Sequence, residues 1–526
     1  MNTERVPQIV LGVGAGAVLA GAAVLFVPGS LGGDGPPPAP GPVARAVSAA
    51  HAGAQASLPE LAALIGDREK WLRAHPRDDA SWAELGTAYV ERGARSGDTA
   101  SYVRAEKALK RSLTVLPAAK GNVDAQLGMG ALANARGDFP AARKWGEAVR
   151  NHTPRRWQAY AVLIDAYSGL GDYVSAGRAM ERLRALRPGA PALSRASLVH
   201  RDRGWREDAS ALAYDAVALA ATPAEKAACL ARLGDLAWER GEPAEAAASY
   251  EPALRLVPGH GPSLAGRARA LAALGRADEA VRDYGAALEA LPLPEYALEA
   301  GEFYESLGLD GDARTQYDML RARAAEGAAH GVNETLVLAR YETDHGDPAA
   351  AVTSLRAVWA KGQRSVHVAD ALGWALYRAG KPEEALGYAR RATEQGLRSA
   401  LFAYHRGQIE RALGQYGAAR RHIQEALRVN PDFSPLLAPK AREALAALGE
   451  PPEGGPRGDA GGGEEARGRS GSGAASGGGT SRTWSPPPRD TERRQPSVKP
   501  RRPDGSPSAS SSASVSASPS ASASGR

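Results

Sequence analysis

The sequence predicts an all-α solenoid, a stack of antiparallel helix pairs, and three observations carry that prediction. Between Ser81 and Pro431 one pattern recurs with a period of about 34 residues, which is room for two short helices and no separate core. Each copy holds two stretches of helical apolar periodicity with a glycine between them. Most copies then close on a proline, which cannot continue a helix. The clearest read LIDAYSGLGDYVSAGRAMERLRALRP (Leu163 to Pro188), LGDLAWERGEPAEAAASYEPALRLVP (Leu233 to Pro258) and RARALAALGRADEAVRDYGAALEALP (Arg267 to Pro292).

Taken in order, the chain opens with residues 1–8 and then an uncharged run, Ile9 to Val27. That run is long enough for one bilayer crossing, for which about 20 residues are usual. Arg5 and the amino terminus precede it with only Glu4 opposing, so the positive-inside tendency places residues 1–8 in the cytoplasm and the solenoid outside. A signal-anchor at 9–27 with single-pass membrane association is expected. The rival reading, a cleaved signal peptide and a secreted protein, calls for a shorter apolar region of about 7–15 residues and a small-residue cleavage site. Ser30-Leu31-Gly32 matches such a site weakly. Gly12-x-x-x-Gly16 has the spacing that lets transmembrane helices touch, a weak indication of a homo-oligomer.

Residues 28–57 read as a Pro/Gly/Ala-rich spacer, with GGDGPPPAPGP (Gly32 to Pro42) extended. The solenoid is expected over 58–449. A leading helix between Pro59 and His75 carries Leu61, Leu64, Ile65 and Leu72. About ten copies follow, ending near Pro117, Pro154, Pro188, Ala221, Pro258, Pro292, Ala325, Gln363, Leu397 and Pro431. The first copy has extra residues, Glu91 to Tyr102, expected to form a longer loop or an extended helix. Pro439 at a first helical position, then Leu445 and Leu448 before Gly449, predicts a short capping helix. Residues 450–526, rich in Gly, Ser, Ala and Pro, have almost nothing to bury and are expected to be disordered.

Packing explains the fixed positions within a copy. Small residues recur where two helices must approach closely: Gly234, Ala246 and Ala253 in one copy, Ala268, Ala280 and Ala287 in another. Large ones fill the space between. Tyr160, Leu163 and Tyr167 share one helix face, and Met180 and Leu183 continue the stripe on the next helix. Glycine followed by a polar residue breaks the pattern at Gly171-Asp172, Gly241-Glu242 and Gly346-Asp347.

This order of small residue, aromatic, turn glycine, alanine, large residue, alanine and closing proline resembles the tetratricopeptide repeat. The resemblance covers the ten copies unevenly, and copies four, seven and eight lack the closing proline. It implies a right-handed superhelical solenoid whose first helices line a concave groove that binds peptide segments or protein partners without catalysis. Carried onto copies nine and ten, the groove positions are His367, Asp370, Trp374, Tyr377, Arg378, Tyr404, His405, Gln408 and Arg411. Trp, Tyr and Arg are the types that dominate interface hot spots. Copies three to five add Asp165, Arg195, Arg232, Asp235 and Trp238 as a secondary groove. The competing reading packs Trp374 and Tyr377 between repeats as core. The family's chaperone-binding variety grips a peptide carboxylate with Asn and Lys/Arg, and this groove lacks that set.

Catalytic and cofactor signatures are missing from the sequence: it has no HExxH, CxxC, G-x-S-x-G or P-loop, so an enzyme, a metal and a cofactor are not expected. The single cysteine, Cys229, sits in an apolar run and reads as core. The net charge of +6 does not point to nucleic acid, because residues 451–526 hold 11 Lys/Arg against 7 Asp/Glu and the rest is near neutral. Arginine outnumbers lysine 55 to 10, a bias expected of a high-GC bacterial genome. The expected partner is therefore an unidentified protein or peptide at the bacterial envelope. The alternative is a secreted chain held at the cell wall by its basic Ser/Pro-rich tail.

Overall fold

Short polar side chains start many of these helices and glycines stop them. Asp78, Asn122, Asp138, Asp172, Ser365 and Ser399 each accept a hydrogen bond from a backbone N–H in the first turn of the following helix. Ser57 and Glu60 form a complete capping box. The computed structural model describes residues 39–449, and these form 23 α-helices, one short 3-10 turn at Ala118–Lys120 and no strand.

Two leading helices, α1 (Pro42–Ala52) and α2 (Leu58–Ala74), precede ten pairs. The pairs are α3 (Asp79–Ser96) with α4 (Ala100–Val115), α5 (Val123–Ala135) with α6 (Phe139–His152), and α7 (Trp157–Leu170) with α8 (Tyr173–Leu186). Next come α9 (Ala190–Asp202) with α10 (Arg206–Leu219), α11 (Pro223–Glu239) with α12 (Pro243–Leu256), and α13 (Gly261–Ala273) with α14 (Ala277–Ala290). The last four are α15 (Pro294–Ser306) with α16 (Asp310–Ala329), α17 (Thr335–His345) with α18 (Pro348–Ala360), α19 (Val366–Arg378) with α20 (Pro382–Thr393), and α21 (Ala400–Ala412) with α22 (Tyr416–Val429). A closing helix, α23 (Leu437–Ala447), ends the array.

Helical structure starts earlier than expected: residues 42–52 of the segment read as a spacer form α1, whose Val43 and Val47 pack on the core around Leu61 and Leu85. The inserted residues of the first copy lengthen α3 to Ser96 instead of forming a loop. Among the described residues no helix is long and apolar enough to cross a membrane. The expected span at Ile9–Val27 and the tail at 450–526 lie outside the described residues.

Within each pair a small residue on the first helix receives a large one from the second. A Cβ on Gly234 would stand 2.5 Å from the Tyr250 ring, and one on Gly407 would stand 2.6 Å from Ile423. Ala246, Ala253, Ala280 and Ala287 are fully buried at the corresponding contacts of the second helices. No pair buries its apolar faces alone, so each is completed by the next.

The array also touches itself. Antiparallel pairs place their helix-to-helix hairpins on one edge of the array and the linkers between pairs on the other. The hairpins of one lap of the superhelix meet the linkers of the lap above, roughly 190 residues later. Asn333 N–H donates to Arg136 O at 2.8 Å, Arg364 N–H to Leu170 O at 3.2 Å, and Gln363 Nε2 to Gly137 O at 3.0 Å. Farther along, Arg206 donates to Arg398 O and Asn430 Nδ2 to Trp238 O, both at 2.8 Å. The hairpin glycines make the approach possible. Gly171, Gly204 and Gly241 have φ between 77° and 79°, and a Cβ on any of them would meet backbone of the upper lap. Arg187 and Thr222 bond to Ala52 O and Gln55 O in the same way, tying the α1–α2 link into this seam.

Candidate functional site: an interior cavity

Because the laps close on each other, the concave face becomes an interior wall. A cavity of about 800 Å³ lies inside, bounded by the first helices of copies four to ten and by residues 430–442. One inward position per copy sets its character. In copies four to eight that position carries Arg201, Asp235, Arg269, Glu302 and Arg340, a ring of alternating sign. Opposite charges one repeat apart attract, and most of the wall is internally satisfied. Arg201 pairs with Asp202 at 2.7 Å and Glu239 at 3.5 Å. Arg232 pairs with Asp235 at 3.3 Å, and Tyr250 donates to Asp235 at 2.8 Å. Arg269 reaches Glu299 at 3.8 Å and lies over the Trp238 ring.

Glu302 and Arg340 have no ion-pair or hydrogen-bond partner among the described residues. Burial pushes the Glu302 carboxyl up to about 7, against the pull of the Arg340 charge. His367 faces the cavity, and desolvation followed by the Arg201 charge holds its imidazole down to about 4. Burial likewise raises Glu239 despite its Arg201 partner.

The cavity unites residues that the sequence assigns to separate surfaces. Arg232, Asp235 and Trp238 of the secondary group face the same space as His367, Asp370, Trp374 and His405 of the main one. Tyr377, Arg378, Tyr404, Gln408, Arg411, Asp165 and Arg195 are not part of the cavity wall. Asp165 and Arg195 pair with each other at 3.5 Å, and Arg378 pairs with Asp344.

The aromatic cluster of copies nine and ten is largely core. Trp374 is 5% exposed, stacks on His405 with ring centroids 4.1 Å apart, and donates its Nε1–H to Asp344 at 3.0 Å. His405 Nδ1 faces Asp370 at 3.0 Å, so the carboxylate fixes Nδ1 as the protonated nitrogen. Tyr404 and Gln408 are buried as well. Trp374, Tyr404, His405 and Gln408 are thus packed against neighbouring helices, with Trp374 and His405 also reaching the cavity. Glu299, Glu302 and Arg340 were missed, although the same inward positions applied to copies seven and eight point to them. Among the described residues no His, Cys, Asp and Glu cluster is arranged to hold a metal. Cys229 is buried, and burial pushes its thiol up to about 11.

Among curated proteins none matches the chain. Among solved structures, the APC/C hetero-tetramer Cut9-Hcn1 is 14% identical over 70% of this chain and 76% of that one, with a TM-score of 0.39. A tetratricopeptide repeat protein from Parabacteroides merdae is 20% identical over 49% of this chain and 98% of that one, with a TM-score of 0.31. PilF of Pseudomonas aeruginosa is 18% identical over 40% and 94%, with a TM-score of 0.32. The family model described as tetratricopeptide repeat matches residues 231–292, 336–400 and 371–435. Over residues 231–292 and 336–435 the helix pairs of this solenoid are thus similar to tetratricopeptide repeats.

Proposed function

We propose that the chain is a non-enzymatic scaffold that holds an extended peptide segment of a protein partner along its interior wall, at the bacterial envelope. The observation that carries this reading is that Glu302 and Arg340 face the cavity with no ion-pair or hydrogen-bond partner among the described residues. Desolvation penalises the Glu302 carboxylate, while the Arg340 guanidinium is exposed to the cavity space. A peptide offers amide and side-chain donors to Glu302 and acceptors to Arg340, and its entry would pair both. The volume of about 800 Å³ lies within the range of ligand sites and admits a short stretch of extended chain. The envelope assignment rests on the uncharged run at Ile9–Val27 and the positive residue before it.

Crosslinking in cells, with partner capture compared between the wild type and Arg340→Glu, tests the site. Loss of capture from a protein that folds normally is expected, and unchanged capture would remove the cavity from consideration. Trp374→Ala is a poor probe, because that side chain is core. Fractionation of the full-length chain tests the location: recovery of a shortened chain in the medium would replace the anchor with secretion.

A further inference from the structure

The seam between laps uses two complementary edges, and the array ends before both are consumed. Hairpins at Gly97, Gly137, Gly171, Gly204 and Gly241 are covered by linkers of the upper lap. The later hairpins are not. No described residue lies within 4 Å of a Cβ placed on Gly275, Gly308, Gly380 or Gly414, although these glycines have the same positive φ of 70° to 76°. Leu274, Leu307 and Leu309 beside them are about 40% exposed, which leaves an apolar stripe on this edge. At the opposite end, the linkers of the first lap at residues 75–78 and 117–122 have no lap beneath them among the described residues, and a Cβ placed on Gly121 would meet nothing within 4 Å.

We propose that the open hairpin edge of the last lap binds the open linker edge of the first lap of a second copy, head to tail. Two observations choose a second copy as the occupant. The first is continuity: the interface required is one the chain already makes with itself several times, loop seated on glycine hairpin, so each copy carries both halves of it. The second is charge. The hairpin edge carries Asp278, Asp310, Asp312, Asp347, Glu383 and Glu384 at the starts of the second helices against Arg276 and Lys381, whereas the linker edge presents exposed Arg77 and Lys120. Acidic and basic surfaces of this kind steer association and fix its register. Such a contact is heterologous: it leaves a free edge at each end and grows without closing. It does not depend on what fills the cavity.

Sedimentation velocity of the full-length chain in detergent, from low to high micromolar concentration at low ionic strength, tests this. The wild type should form a concentration-dependent series that passes beyond dimers and weakens as salt screens the edges. Asp310→Lys with Asp312→Lys, or Arg77→Glu with Lys120→Glu, should each weaken association by roughly tenfold or more while circular dichroism stays unchanged. Leu307→Glu makes the same test without touching a helix start. Mixing a hairpin-edge variant with a linker-edge variant leaves one good edge on each, so the mixture should form dimers and stop there. A wild type that is monomeric throughout, or that stops at dimers, overturns the proposal. So do edge variants that associate like the wild type and a mixture that stays monomeric.

Discussion

Two glycines with nearly equal backbone angles separate the seam from every other property of the fold. Gly204 (φ 78°) sits beneath the linker of the upper lap, and Gly308 (φ 74°) sits at an open hairpin. Replacing either with alanine forces an L-residue into the left-handed region, at about 1–2 kcal/mol. That cost is common to both and cancels in the comparison. At Gly308 nothing more is lost. At Gly204 the new methyl would press on the Gly396 carbonyl, so the upper lap must lift, and the Arg206 bond to Arg398 O goes with it. A bond from a charged donor contributes about 1.5–3 kcal/mol, and exposure puts this one at the low end. Gly204→Ala should therefore destabilise by at least about 1.5 kcal/mol more than Gly308→Ala. Urea midpoints followed by circular dichroism measure the difference, and small-angle scattering should show a larger radius of gyration for Gly204→Ala alone. Equal midpoints and identical scattering would refute the seam.

Ala280 is fully buried against Tyr284 and Phe303, so Ala280→Trp should cost about 1–3 kcal/mol or more in urea unfolding, and a neutral result would count against the repeat register. Trp374→Ala removes a buried ring and leaves Asp344 with Arg378 alone; a loss of about 3–5 kcal/mol in thermal unfolding is expected. Arg340→Ala, at a charge with no partner, should stay within about 0.5 kcal/mol of wild type while abolishing partner capture. The raised Glu302 pKa makes folding take up a proton, so its contribution to stability is complete below the unfolded value of 4.5 and disappears as pH rises through about 7. Glu302→Gln should flatten the stability profile between those limits, and an unchanged profile would show that the carboxyl is not enclosed. His367 has the opposite sign: with its pKa held down to about 4, stability declines from about pH 6.5 downward, and His367→Gln should remove that decline in the same titration.

Helix pairing was legible in the sequence because its signals are local. Gly171 and Gly241 end helices, Pro188 and Pro258 close copies, and Gly234 admits Tyr250, all within one repeat length. Only the start was misplaced, since Pro42 at the first helical position of α1 lies in a proline-rich stretch whose composition suggests a spacer. The cavity was not legible, because it depends on contacts roughly 190 residues apart that no period reveals. Asn430 looks like an ordinary linker residue until Trp238 O is found beneath it. Trp374 and Tyr404 illustrate the other difficulty: an aromatic at an inward position can serve either a ligand or the neighbouring helix, and here the neighbouring helix takes both.

Solenoids in which each repeat touches only its neighbours can gain or lose a copy without penalty elsewhere. This one cannot. Deleting a single copy of about 34 residues from the first lap would advance every later linker past its glycine by about a sixth of a lap, putting polar loops against hairpins shaped for others. The number of copies per lap is set like the teeth on a gear, and a change in length would be tolerated only at the ends of the array or in steps of a whole lap.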